Sequence, residues 1–178
     1  MLNKTNQLGQ LTELWCQIHF CERGYILSQP TNPSSRYDFI VEIENKLYRI
    51  QCKTAHPETN NRISFRVMSK NWNSGELKNY LEDVDYFYTC WNQQGYLLPI
   101  SYCSSTNREK FLRLGEETDY SIKNDNALYA KDFEIDKILL NLTNKDIHIQ
   151  KIEDENRLVK KNEINSNICI DCGKIITS

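Results

Sequence analysis

The sequence predicts an α/β fold with a mixed, largely antiparallel sheet flanked by helices. Three observations predict it. Leu8, Leu11, Leu14, Trp15 and Ile18 recur at helical spacing near the start. Period-two alternation then runs through residues 37–43, 46–54 and 62–70. Two further apolar runs, 84–91 and 96–101, follow as a hairpin, and a helical pattern returns over Phe133 to Leu142.

Each element has its own local reason. The first helix spans Leu8 to Arg23, with Gly24 as its C-terminal cap. Tyr25 to Ser28 is a short apolar stretch ended by Gln29-Pro30, and Thr31 to Ser35 is a loop. In the strand from Tyr37 to Ile43, residues Tyr37, Phe39, Val41 and Ile43 share one face, and Asp38, Ile40 and Glu42 the other. Glu44-Asn45-Lys46 is a hairpin turn, and the return strand runs from Lys46 to Thr54. There Leu47, Arg49, Gln51 and Lys53 share a face. His56 to Asn61 reads as a polar loop, Arg62 to Lys70 as one strand, and Ser74 to Glu82 as a short helix. Gln93-Gln94-Gly95 joins the later hairpin, whose second strand carries Pro99 and is therefore an edge strand.

The chain has 178 residues, a formal net charge of -2 and 39% hydrophobic residues, enough for one domain with a core. The charge excludes a small, wholly basic DNA-binding chain. The start, MLNKTNQLGQ, is polar, and no run approaches the ~18 apolar residues of a membrane span. The seven cysteines therefore read as reduced thiols of an intracellular, cytoplasmic protein with no membrane partner. Three segments follow from composition. Residues 1–143 form the folded domain, 144–167 a charged linker or exposed helix, and 168–178 a tail with a cysteine pair.

Three polar side chains sit where strand interiors belong: Asp38, Gln51 and Lys53. Strand residues i and i+2 lie about 6.6 Å apart and point the same way. If the two strands pair, an acid, an amide oxygen and an ammonium converge on one sheet face. That set suits metal-assisted phosphodiester hydrolysis, in which few protein oxygens hold Mg²⁺ and a lysine steadies the attacking water or the charged phosphate.

The run Tyr37-Asp38-Phe39-Ile40-Val41 followed by Tyr48-Arg49-Ile50-Gln51-Cys52-Lys53-Thr54 resembles the PD-(D/E)XK nuclease signature. Gly9-x-x-x-Glu13, Gly24-Tyr25, Pro30, Val84-Asp85-Tyr86-Phe87 and Leu98-Pro99-Ile100 extend the likeness over roughly residues 7–140, toward the group I intron-encoded homing endonucleases of that superfamily. The resemblance implies a restriction-endonuclease-like core. It implies Asp38 as a metal ligand, Gln51 in the place of the second acidic ligand, Lys53 as the catalytic lysine and Glu13 as an extra carboxylate. Two positions depart from the pattern: Tyr37 stands where proline precedes the aspartate, and Gln51 where an acid is usual. Helical periodicity alone leaves Glu13 as a solvated helix residue, off the main apolar arc.

From Lys46 to Lys78 there are seven Lys or Arg and two Glu. Arg49, Arg62, Arg66, Lys70 and Lys78 are candidate DNA contacts, since such a one-sided stripe suits a phosphate backbone and arginine reads guanine edges. Asn71, Trp72 and Asn73 extend that surface, which otherwise reads as a solvated edge strand. Cys169-x-x-Cys172 has zinc-knuckle spacing but no second pair before Ser178, which leaves a remnant or a labile zinc site. Cys16, Cys21, Cys52, Cys90 and Cys103 sit among apolar residues and read as buried thiols.

These features point to a Mg²⁺-dependent, site-specific endonuclease of double-stranded DNA. One site cuts one strand, so a double-strand break calls for a homo-oligomer, a dimer or tetramer. Two alternatives stand: a Holliday-junction or repair nuclease of the same fold, and a DNA-binding protein that has lost cleavage.

Overall fold

The computed structural model describes residues 4–70, 74–104, 106–115 and 128–144. The chain divides into two compact units, Met1–Leu139 and Leu140–Ser178, and of the second only residues 140–144 are described, all helical. The cysteine pair Cys169 and Cys172, the charged segment beyond residue 144, and Asn71, Trp72 and Asn73 lie outside the described residues.

Helix α1 (Lys4–Glu22) leads. A five-stranded sheet follows, built from β1 (Leu27–Ser28), β2 (Phe39–Ile43), β3 (Lys46–Cys52), β8 (Tyr86–Trp91) and β9 (Gln94–Pro99) in that spatial order. All neighbours pair antiparallel except β3 and β8, which are parallel. A three-stranded sheet takes β4 (His56–Glu58), β5 (Arg62–Arg66) and β10 (Glu109–Arg113), with β5 central. Strands β6 (Met68–Lys70) and β7 (Leu77–Asn79) form a separate ribbon. A second helix, α2, begins at residue 135. Among the described residues no helix is long and apolar enough to cross a membrane.

The β2–β3 hairpin closes through Glu44 and Asn45, both with positive φ, as the right-handed twist of the strands requires. The β8–β9 hairpin closes the same way through Asn92 and Gln93, one residue earlier than expected from Gly95. Gly24 has φ +79°, its N–H donates to Cys21 O, and the Tyr25 N–H donates to Phe20 O. With Tyr25 packed edge-on against Phe20, this is a Schellman cap, as the position of Gly24 predicts.

The core lies on both faces of the main sheet. On one face α1 packs Cys16, His19 and Phe20 against Cys52, Tyr88 and Gly95. On the other, Phe87 meets Phe65 of the small sheet and Tyr80 of the β7–β8 loop. Pro99 does stand on an edge strand, but that edge is partly covered. Leu97 N–H donates to Phe133 O, and Tyr96 bridges Glu134.

Several local expectations are corrected. The apolar arc of α1 faces outward: Leu8, Leu11, Leu14 and Ile18 are 39–52% exposed, and Thr12, Cys16, His19 and Phe20 are buried. Cys21 is exposed, and Cys90 and Cys103 are only half-buried, whereas Cys16 and Cys52 are buried thiols as expected. Residues 77–79, expected in a helix, pair with β6, a turn entered through Gly75 at φ +73°. The single strand over 62–70 is two strands interrupted at Val67, whose N–H turns to Arg108 O. His56–Glu58 and Glu109–Arg113 are strands that the sequence pattern did not reveal.

His19 shows why the inner face of α1 is polar. Its Nε2 lies 3.1 Å from Gln93 O and its Nδ1 2.7 Å from the Tyr88 hydroxyl. A carbonyl only accepts, so Nε2 carries the proton and Nδ1 accepts from Tyr88. Burial pushes the His19 imidazole below its ordinary value of 6.5, and the nearby Arg23 adds to the effect.

Two outcomes are expected. A Cβ at Gly95 would lie 2.4 Å from His19 Nδ1, so Gly95→Ala should lower the unfolding free energy by about 1–3 kcal/mol in urea titrations. His19 has a depressed folded-state pKa, so its contribution is complete above its unfolded value of about 6.5 and is lost as pH falls through the lower folded value. Urea midpoints measured at pH 7.5 and pH 5 should fall more for the wild type than for His19→Gln.

Candidate active site

The β2–β3 register builds the site. Phe39 pairs with Ile50, and one step outward the Asp38 N–H donates to Ile50 O at 2.8 Å, which sets Asp38 opposite Gln51. Alternation then turns Asp38, Gln51 and Lys53 to the sheet face opposite α1. The Asp38 carboxylate is tightly held: Oδ2 accepts from Gln51 Nε2 at 2.5 Å and from the Cys52 backbone N–H at 2.6 Å.

Strand β3 ends at Cys52, so Lys53 lies just past it, shorter than the expected run to Thr54. The Lys53 N–H donates to Tyr88 O at 2.8 Å, and its Nζ donates to the Tyr80 hydroxyl at 3.0 Å. Glu13 arrives from α1. The neighbouring Thr12 hydroxyl lies 3.3 Å from that of Thr54, which brings the Glu13 carboxylate within electrostatic range of Asp38 and Lys53. Glu13, Asp38, Gln51 and Lys53 thus come together.

Burial is the main reason that both carboxyls titrate above their ordinary range. For Glu13 the charge of Asp38 adds to the rise and Lys53 opposes it. For Asp38 the Cys52 N–H, Lys53 and Gln51 all oppose it. Two desolvated carboxylates beside each other are a setting that a cation relieves.

Among the described residues no group of three or more His, Cys, Asp or Glu could hold a metal ion. The oxygen set is sparser: two carboxylates and the Gln51 amide, which suits an ion that keeps several waters. The amide presents its nitrogen to Asp38 and to Cys52 O, so offering its oxygen to a cation requires the amide to turn over. With that turn, the residues present fit a divalent ion.

The expected DNA-contact residues fall into two groups. Arg49 is committed within the protein: its Nε lies 3.3 Å from Asp85 Oδ2, and Nη1 donates to Glu82 O at 3.0 Å. Arg62 and Arg66 lie on β5, whose Ile63 and Phe65 point into the core. Arg62 stacks 5.2 Å over Phe111, and Arg66 pairs loosely with Glu109 at 3.7 Å. Lys70 and Lys78 are exposed on the β6–β7 ribbon. A groove of about 540 Å³ runs between these elements, lined by Arg66, Met68, Lys70, Leu77, Arg108 and Glu109.

Arg108 is a basic residue of that groove which the sequence reading missed. Glu109 to Arg113 reads Glu-Lys-Phe-Leu-Arg, with no period-two alternation, so no local signal places it beside β5. The resemblance, not helical periodicity, named Glu13, and the structure sets it next to the Thr12–Cys16–His19 face that α1 buries. His56 lies on β4 and is exposed.

Comparison with known proteins bears on this geometry. A solved bacterial homing endonuclease, I-Ssp6803I, is similar in fold at TM-score 0.60 and 12% identity, over 85% of this chain and 99% of that chain. MepB overlaps at TM-score 0.32 and 11% identity, over 64% of this chain and 86% of that one, too weak a likeness to bear on the fold. No match was found among curated proteins. The PD-(D/E)XK endonuclease profile matches residues 3–136, which covers the helix, both sheets and every residue of the site. The chain therefore belongs to the PD-(D/E)XK endonuclease family and is a DNA endonuclease.

Proposed function

We propose that this endonuclease is Mg²⁺-dependent and site-specific, a homing endonuclease of the group I intron-encoded kind that cuts double-stranded DNA. The observation that carries this reading is the meeting of Asp38, Gln51, Lys53 and Glu13 at the end of β3. The likeness to a bacterial homing endonuclease supports the finer part of it.

In this reading Asp38 and Glu13 hold the cation, with Gln51 adding its amide oxygen. The bound ion would supply Lewis acidity toward the phosphodiester and lower the pKa of a water. Lys53 places a fixed ammonium at the same spot, where it donates to the attacking water or to the phosphate oxygens. Arg62, Arg66, Lys70 and Lys78 track the phosphate backbone, and Arg108 adds to the groove. One such site cuts one strand, so the enzyme acts as a homo-oligomer, with residues 1–143 as its nuclease domain. A zinc site at Cys169 and Cys172 is no part of this chemistry.

One observation favours a second reading, a DNA-binding protein without cleavage: the Gln51 amide nitrogen already donates a hydrogen bond to Asp38 where an acidic partner would call for a cation.

Asp38→Asn separates the two. Mg²⁺-dependent nicking of a plasmid library should fall by about 10²–10³-fold or more. The same variant should keep or raise the metal-free melting temperature at pH 7. A raised carboxyl pKa adds stability that is complete below the unfolded value and lost as pH rises through the folded one, so ionised Asp38 is a cost at neutral pH. Mg²⁺ should raise the melting temperature of the wild type more than that of the variant. A wild type that binds DNA and nicks none of the library would support the second reading.

Single Arg62→Ala and Arg66→Ala variants should each weaken DNA binding and reduce the slope of log K against log[salt] by about 1, as read by fluorescence anisotropy at several salt concentrations.

A further inference from the structure

Tyr80 stands between the Lys53 ammonium and the β6–β7 ribbon. It is 6% exposed, and its ring packs edge-on against Phe87 at 5.5 Å. Its hydroxyl accepts from Lys53 Nζ at 3.0 Å. Two cations sit at its ring, the Arg36 guanidinium 4.1 Å and the Lys53 ammonium 4.7 Å from the centroid. A buried aromatic ring attracts both through its quadrupole, and attraction of this kind strengthens when water is kept out.

Arg36 lies two residues before Asp38, and its other contacts run outward. Nη1 donates to Ser69 Oγ on β6 at 2.6 Å, Nη2 donates to Asn79 O at the end of β7, and Nε donates to Asp83 at 2.9 Å. The guanidinium therefore grips both strands of the ribbon while it lies against the ring that holds Lys53. Ser69 and Asn79 flank Lys70 and Lys78, two of the residues assigned to DNA.

From this juxtaposition we propose that Tyr80 is the positioning residue for the Lys53 ammonium, and that Arg36 ties that position to the seating of the β6–β7 ribbon. The proposal rests on the nuclease reading above for its functional meaning. Lysine has a long, freely rotating stem, and an ammonium left to wander over several rotamers spends little time at the phosphate. The Tyr80 hydroxyl removes that freedom. A duplex lying across Lys70 and Lys78 would press on the ribbon, and Arg36 carries that contact to the ring.

Tyr80→Phe keeps the ring, its packing on Phe87 and its contact with Arg36, and removes only the acceptor. Arg36→Lys keeps the charge and loses the fork that reaches Ser69 and Asn79 together. The substrate is a plasmid from a random library that the wild type cuts with Mg²⁺. Single-turnover rates at rising enzyme concentration separate binding from chemistry, and melting temperature reports folding. The ¹⁵N-lysine ammonium spectrum, with Lys53 assigned through Lys53→Arg, reports the side chain without any reaction.

Tyr80→Phe should lower the maximal rate about tenfold, with half-saturation and melting temperature unchanged, and should broaden or shift the Lys53 signal. Arg36→Lys should move the same signal and the same rate in the same direction. Wild-type rate and an unchanged Lys53 signal in Tyr80→Phe would overturn the proposal, as would a rate loss that follows a lowered melting temperature and recovers on cooling. If the wild type cuts no plasmid at all, the nuclease reading fails instead, and the Lys53 signal alone decides whether Tyr80 positions it.

Discussion

The register of the β2–β3 hairpin is the constraint on which both the site and the core depend. Glu44 and Asn45 close a two-residue turn, and every pairing from Ile43 with Lys46 to Phe39 with Ile50 follows from it. Asp38 locks the far end by accepting the Cys52 N–H. Side chains alternate, so a slip of one residue would send Gln51 toward α1 and Cys52 toward the site. The same register that gathers Asp38, Gln51 and Lys53 on one face also gives Cys52 to Cys16 of α1 on the other. One hairpin therefore serves the chemistry and the helix packing at once.

The charges of the protein divide by what they face. Arg23 with Asp136, Arg36 with Asp83 and Arg49 with Asp85 are pairs in which opposite charges meet directly. The Arg23 pair holds the Asp136 carboxyl below its usual range. Glu13 and Asp38 have the opposite setting, where burial outweighs the help of Lys53 and of the backbone. Exposed pairs of the first kind contribute little to stability. Hydrogen bonds from Cys52 and Gln51 fix the desolvated Asp38 carboxylate in place, and such perturbed groups gather at sites of function.

Much of this was legible along the chain. Residues 37–43 and 46–54 alternate strictly, so their faces and their mutual pairing follow from local rules, and with them the meeting of Asp38, Gln51 and Lys53. Gly24 announced the helix cap, and Pro99 the edge strand. Helix α1 was legible as a helix but not as an orientation. Its leucines suggest a buried face, yet the sheet beneath offers the Tyr88 hydroxyl and the close approach of Gly95, which select His19, Cys16 and Thr12. Strands β4, β7 and β10 are three to five residues long and carry polar residues on exposed positions, so their pattern is too brief to stand out.

By itself the sequence determined the hairpin, its two faces and the polar trio, because a period of two and a tight turn are properties of neighbouring residues. Only the tertiary structure decided that Glu13 joins the trio, that Arg49 is spent on Asp85, that Arg108 enters the basic groove and that Tyr80 meets Lys53. Those contacts link residues from 25 to more than 40 positions apart. They depend on how helix, ribbon and sheets pack, which no local pattern encodes.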